Sequence, residues 1–272
     1  MSVTTNLTIY DMVAARFFLA GLICAPVLLR LGIPFDRPRR VPLLLMLIGA
    51  GLPMVFCAVI GLSLAPARHG GVMFSAMSAV YGAITAAIFL RERMSGLRSA
   101  GLLVTMVGMA LIAGMSLFEG SLRTSAGHAL FLAGALAWAF YTVGVRKSGI
   151  SSMHGTAIVI VLSWLLYIPI YALFLPKMIL TAPVGEIAFQ ILYQGVASLF
   201  ALYAFARSVA ILGAGRASAF AALVPVLAAL ASVPILGERL DPVDALGILL
   251  AAAGVYLASG GRLSRRRPAP SV

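Results

Sequence analysis

Apolar stretches of about twenty residues recur from one end of the chain to the other, and charges, prolines and glycines collect between them. That length lets an α-helix cross a hydrocarbon core of roughly 30 Å. Reading helices between the breaks predicts about nine spans, near residues 10–30, 41–64, 70–90, 97–117, 126–145, 154–175, 187–209, 213–236 and 242–259. Runs such as VPLLLMLIGAGLPMVFCAVIGL are apolar on every face. A barrel strand would instead alternate apolar and polar residues over about ten positions. The expected fold is all-α, a multi-pass transmembrane helical bundle.

Composition narrows the partners. Of 272 residues 62% are hydrophobic and 10% charged, which makes the lipid bilayer the solvent and leaves no length for a separate water-soluble domain. A net charge of +12 would suggest nucleic acid in a water-soluble protein, but here the basic residues sit in the connections, so no nucleic-acid partner is expected. One alternating set of connections holds Arg30, Arg37, Arg39 and Arg40, then Arg91, Arg93 and Arg98, Arg146 and Lys147, Arg207 and Arg216, and a tail with Arg262, Arg265, Arg266 and Arg267. The other set holds only Arg68, Arg123, Lys177 and Arg239, together with Asp11, Glu119, Glu186, Glu238, Asp241 and Asp244. The positive-inside rule makes the first set cytoplasmic, with the N-terminus outside and the basic tail, residues 263–272, inside. The lead-in MSVTTNLTIYDM carries no Lys or Arg and reads as a polar start, not a signal peptide. Cys24 and Cys57 lie within apolar spans and read as small hydrophobes.

The chain also repeats itself. FLRERMSGLRSAGLLVTMVGMALIAG aligns without a gap on ILGERLDPVDALGILLAAAGVYLASG, so that Glu92 meets Glu238, Arg93 meets Arg239, and Gly101, Gly108 and Gly114 meet Gly247, Gly254 and Gly260 at a constant offset of 146. The same register pairs Phe74 with Phe220 and Gly49 with Gly195. Apolar helices share Leu and Ala readily, but a Glu-Arg followed by three glycines in step indicates duplication. Five spans separate the copies, so they have opposite orientations. The expected organisation is a first repeat in residues 1–120 and a second in 121–262. The helix at 126–145 would find its counterpart upstream of Met1, so the first five-helix repeat is read as lacking its first helix. Inverted repeats suit a secondary transporter, because two similar halves facing opposite ways can expose a midplane site alternately to each side.

These residues resemble the drug/metabolite transporter superfamily, specifically its EamA-type branch. The resemblance rests on AARFFLAGLICAPVLLR in the first span, IFLRERMS before the fourth, PILGERLD before the last and GAGRASAFAALVPVLAAL in the eighth, and it covers essentially the whole chain. It implies a ten-helix fold of two inverted repeats. It also implies movement of small-molecule metabolites or drugs, commonly outward, across the cytoplasmic membrane. No cofactor is implied, and a homodimer is compatible with it.

Several residues are candidates for a substrate cavity. Arg16 lies inside the first span, where a charge costs a few kcal/mol unless it pairs, snorkels or faces water; it either binds a substrate carboxylate or reaches backbone carbonyls and headgroups. Ser78, Tyr81 and Thr85 share one helix face, as do Gln190, Gln194 and Ser198, and Trp138, Tyr141 and Thr142 cluster likewise. Each set would line a cavity or bond between helices. Glu92 and Glu238 occupy equivalent loops and serve as gates or as loop-shaping carboxylates. Gly101 with Gly108 and Gly247 with Gly254 suit close helix packing, and Pro53, Pro169 and Pro225 suit kinks. No Asp or Glu lies mid-span, so no buried proton carrier is visible. His69, His128 and His154 lie at span ends in separate connections without a carboxylate or cysteine at ligand spacing, which gives no expectation of a metal site and none of clustered membrane-enzyme chemistry. A membrane assembly protein without transport activity is the alternative to a transporter.

Overall fold

The structure is a computed structural model that describes residues 6–91, 95–118, 121–212, 224, 227, 231 and 241–258, with only the backbone of Arg68, Leu90 and residues 113–118, 209, 210 and 212. Among the described residues all regular structure is helical: α1 (Ile9–Leu31), α2 (Arg37–Ala50), α3 (Leu52–Leu64), α4 (Ala67–Leu90), α5 (Gly96–Phe118), α6 (Leu122–Ser148), α7 (Ser152–Phe174), α8 (Val184–Leu192), α9 (Ser198–Leu212) and α10 (Pro242–Ala258). Hydrocarbon offers no hydrogen bonds to an open backbone, so a chain this apolar satisfies its N–H and C=O groups within helices.

Local chemistry sets several boundaries. A capping box opens α1: the Asp11 amide donates to Thr8 Oγ1 at 3.1 Å and the Thr8 amide donates to Asp11 Oδ2 at 2.7 Å. At its end Gly32 takes φ +67°, and Gly149 closes α6 at φ +65°, values that favour a residue without a Cβ. The α2 and α3 helices form one span broken at Gly51, where Pro53 removes a backbone donor. A single π-helical turn, Tyr193–Ala197, links α8 to α9.

Six helical segments are long and apolar enough to cross a membrane: Ile9–Leu31, Arg37–Leu64, His69–Phe89, Leu122–Ser148, Ser152–Phe174 and Val184–Ser208. Gly96–Ile112 and Pro242–Ala258 are shorter apolar helices. All eight fall where the hydropathy pattern places spans. The expected span at 213–236 lies outside the described residues, apart from the helical positions 224, 227 and 231. The protein is a multi-pass integral membrane protein, and its outward-facing Leu29, Leu103, Leu173 and Leu249 are exposed as lipid contact requires.

Two apolar cores share α6. One gathers Phe17 of α1, Met46 of α2, Tyr141 of α6 and Ile158 and Tyr167 of α7; the other gathers Met73 of α4, Ile112 of α5, Phe131 of α6 and Val255 of α10. Helix α6 therefore runs through the middle, packed on α2, α3 and α4, while α1 pairs with α7 and α5 with α10.

The α5–α10 pair meets through glycines. A Cβ on Gly108 would lie 2.6 Å from the Gly247 carbonyl oxygen, and one on Gly247 would lie 2.9 Å from that of Gly108. Gly101 and Gly254 oppose each other likewise, each with its added Cβ 2.6 Å from the other's carbonyl oxygen. Without a hydrophobic effect between helices in lipid, such backbone approach supplies the van der Waals contact that holds the pair. Gly254→Val is expected to lower the thermal midpoint of the detergent-solubilised protein, by at least about 2 kcal/mol of stability. Gly82→Ala, whose Cβ meets nothing within 4 Å, is the control and is expected to leave it in place; an equal loss in both variants would refute the packing role.

Candidate substrate cavity

A cavity of about 410 Å³ lies at the end of the bundle where α1, α4 and α6 begin and α3 finishes. Its walls are mainly apolar and aromatic, with Val55 and Val59 from α3, Phe74 from α4 and Phe131 and Trp138 from α6; Arg16 of α1 and Ser75 of α4 are its polar side chains. This is the usual make-up of a small-molecule site, an apolar enclosure with few polar groups to fix orientation. Gly70 and Gly71 keep the α4 wall thin. A neighbouring cavity of about 270 Å³ shares Val59 and Leu62 and adds Leu7, Met12 and Arg123, whose Nη2 donates to the Ser63 carbonyl at 3.0 Å.

Arg16 is placed by the anchoring of α1. Fully buried Asp11 accepts hydrogen bonds from the Tyr171 hydroxyl and from the Met178 amide at 3.1 Å, in addition to those from Thr8. The Tyr167 hydroxyl donates to the Tyr10 carbonyl at 3.0 Å. These bonds pin the first turn of α1 to α7, and Arg16 follows little more than one turn later. Among the described residues its guanidinium has no hydrogen-bond or ion-pair partner, so a cation without a fixed anion faces an apolar chamber. An incoming carboxylate would there gain a charge-assisted, bidentate contact.

Trp138 forms the hub of the aromatic wall, with ring centroids 6.3 Å from Phe74, 5.1 Å from Tyr141 and 5.0 Å from Phe205. Beyond it, toward the other end of the bundle, the interior is filled. Met46 is wedged against Gly144 and Gly155, whose added Cβ atoms would each lie 2.7 Å from its side chain, and Trp164 covers Gly21.

Of the residues singled out from sequence, Arg16 and Trp138 line the cavity. Tyr141 is buried beside Trp138, and the Thr142 hydroxyl donates to the Trp138 carbonyl at 3.2 Å. Ser78, Tyr81 and Thr85 sit further along α4 and are not among the lining residues; the hydroxyls of Ser78 and Thr85 each donate at 2.8 Å within their own helix, to the carbonyls of Ser75 and Tyr81. Buried Gln190 precedes the π turn, half-buried Gln194 lies within it and half-buried Ser198 follows it; there Gly195 abuts Leu19 of α1. Glu92 and Glu238 lie outside the described residues. Phe74 and Phe131 were missed as wall residues, although the pairing of Phe74 with Phe220 was a signal that the position matters.

The histidines require a correction. His69 and His128, separate in sequence and read as lacking a carboxylate partner, converge with Asp244 because α4, α6 and α10 all begin at the same end of the bundle. His69 Nδ1 lies 3.1 Å from His128 Nε2, and His69 Nε2 lies 3.3 Å from Asp244 Oδ2. All three are buried, at 7%, 5% and 4% exposure. His154 stands apart, half-buried, with Nε2 2.8 Å from the Gly32 carbonyl. Among the described residues no group of three or more His, Cys, Asp or Glu side chains has a metal-binding arrangement.

A helical membrane bundle enclosing an apolar chamber with a buried cation belongs to the class of small-molecule transport proteins. Residues 2–114 and 125–260 match the EamA-like transporter family, and the chain belongs to that family, one of transporters and not of enzymes. Among curated proteins it is similar to a "Probable terminal-alkyne amino-acid exporter" of Streptantibioticus cattleyicolor, 29% identical over 197 residues that make up 71% of this chain and 65% of the relative, so the match spans just under two thirds of the relative's length. A solved structure described only as "Crystal structure of protein" superposes with a TM-score of 0.63 at 21% identity, covering 95% of this chain and 91% of the other, and shares the fold.

Tyr171→Phe removes one of the bonds to buried Asp11 and is expected to cost about 1–3 kcal/mol of stability. Thermal unfolding in detergent, with exposed Tyr193→Phe as the control, measures it; equal midpoints would show that Asp11 does not depend on this bond.

Proposed function

We propose that the protein exports small carboxylates with apolar side chains, amino acids first among them, by alternating access between two inverted repeats. The observation that carries this reading is Arg16, a guanidinium without a described anionic partner set in an apolar and aromatic chamber. A carboxylate would pair with it while an apolar side chain lies against Phe74, Phe131 and Trp138. The name of the Streptantibioticus relative, an amino-acid exporter, agrees with that chemistry.

The repeat reading draws support from reciprocity. Gly101 opposes Gly254 and Gly108 opposes Gly247; shifting each residue by the sequence offset of 146 exchanges the members of these pairs, as a pseudo-twofold axis between α5 and α10 requires. The same offset carries Gly49, just before the α2–α3 break, onto Gly195 in the π turn. The family match also falls in two stretches, residues 2–114 and 125–260. With the basic connections cytoplasmic, the chamber opens outward, and Met46, Gly144 and Gly155 close the inner side. Access would alternate by rocking of one repeat against the other about the α5–α10 pair.

Counterflow in proteoliposomes tests the substrate class. Wild-type protein is expected to exchange L-leucine and L-phenylalanine saturably, and Arg16→Gln to reduce this about 10- to 100-fold, the worth of roughly 1.5–3 kcal/mol for a hydrogen bond to a charged group. Absence of saturable exchange for every apolar amino acid tried would overturn the reading. For orientation, a C-terminal alkaline phosphatase fusion is expected to stay inactive and a fluorescent-protein fusion to fold and fluoresce; an active phosphatase would reverse the assigned topology.

A further inference from the structure

Arg16 answers the carboxylate of a substrate, but an α-amino acid brings a second charge into the chamber, and its ammonium needs acceptors of its own. Among the described lining residues the polar groups of Arg16 and Trp138 only donate, and Met54 offers a weak thioether acceptor. Apart from Ser75, the remaining described side chains of the wall are apolar or absent. The Ser75 hydroxyl is therefore the one strong side-chain acceptor described there. We propose that Ser75 is the ammonium subsite of the chamber, so that the substrate class is zwitterionic α-amino acids and not apolar carboxylates at large. This rests on the carboxylate reading of Arg16 above and adds the residue that recognises the other charge.

The conformation of Ser75 supports the assignment. A serine or threonine inside a helix commonly donates to a carbonyl one turn back. Ser78, Thr85, Thr105 and Thr142 all do so, over 2.8, 2.8, 3.0 and 3.2 Å. Ser75 does not: its carbonyl accepts from Ser78, but its hydroxyl makes no hydrogen bond among the described residues. Its oxygen thus keeps both lone pairs for a ligand, in a chamber whose apolar walls make an ammonium without an acceptor costly.

Placement separates the two charges. Arg16 belongs to α1 and Ser75 to α4, so the chamber's two hydrogen-bonding ends come from different helices. A carboxylate drawn to the guanidinium leaves the ammonium of the same molecule to turn away from a like charge and toward α4. The apolar side chain, the third substituent of the α-carbon, is left for Phe131 and Trp138 of α6 and for Val55 and Val59 of α3. The rings of Phe74, next to Ser75, and of Trp138 line the same chamber with centroids 6.3 Å apart, and a ring face attracts a cation. A des-amino acid of the same shape would satisfy Arg16 and the apolar walls but leave the Ser75 oxygen without a donor.

Ligand binding to the full chain in lipid nanodiscs tests this without transport. The probes are L-leucine against 4-methylpentanoate and L-phenylalanine against 3-phenylpropanoate, pairs that differ only in the amino group. Emission from Trp138, one of two tryptophans in the chain and a wall residue, reports occupancy. Wild-type protein is expected to bind each amino acid at least about 10-fold more tightly than its des-amino partner, the worth of a hydrogen bond to a charged group. Ser75→Ala is expected to abolish that preference by weakening the amino acids alone, with its thermal midpoint in place, whereas Arg16→Gln weakens both members of each pair. Equal affinities within the wild-type pairs, or tighter binding of the des-amino acids, would overturn the subsite and leave the carboxylate reading standing. A Ser75→Ala protein that keeps the preference would place the amine elsewhere, and one that weakens both members equally would give the hydroxyl to the carboxylate or to the helix; either result overturns the proposal. Binding of none of the four probes would sink the carboxylate reading and the subsite together.

Discussion

The absence of water in the hydrocarbon core is the constraint from which the rest follows. It forces every described span into helices and removes the usual drive for helices to associate, so contact must come from shape. Glycine provides that shape. Gly101 and Gly108 on α5 meet Gly254 and Gly247 on α10 closely enough that a Cβ at Gly108 would stand 2.6 Å from a carbonyl oxygen. Between α2, α6 and α7, Gly144 and Gly155 receive Met46 in the same manner.

The same low dielectric makes each interior charge conspicuous. Asp11 is satisfied by donors from Thr8, Tyr171 and Met178, and its role is to hold α1 in place. Arg16 receives no such group among the described residues, and its surroundings are apolar and aromatic. One residue is a structural anchor and the other a charge lining a cavity, although they lie on the same helix and only five positions apart. The histidine–aspartate cluster is a third case, with buried His69 within hydrogen-bond distance of both His128 and Asp244.

Geometry and electrostatics thus divide the labour. The α5–α10 contact is a tight seam of opposed glycines, the chamber is lined from α1, α3, α4 and α6, and the histidine–aspartate cluster ties α4 to α6 and α10.

Hydrophobic length and the placement of Arg and Lys determined the class, the positions of the helices and the membrane as solvent, because each depends on residues near one another in the chain. The boundaries of α1, α4 and α7 were legible within a few residues for that reason. Arg16 and Trp138 were also legible, one as an unusual charge and the other as a large aromatic in a span. Only the tertiary structure decided which polar residues meet. Thr85 shares a helix face with Ser78 and Tyr81, yet its hydroxyl is spent on the Tyr81 carbonyl. His69, His128 and Asp244 are separated by 59 and 116 positions along the chain and share no motif. They meet because three helices start at one end of the bundle, a fact of packing that no local pattern encodes.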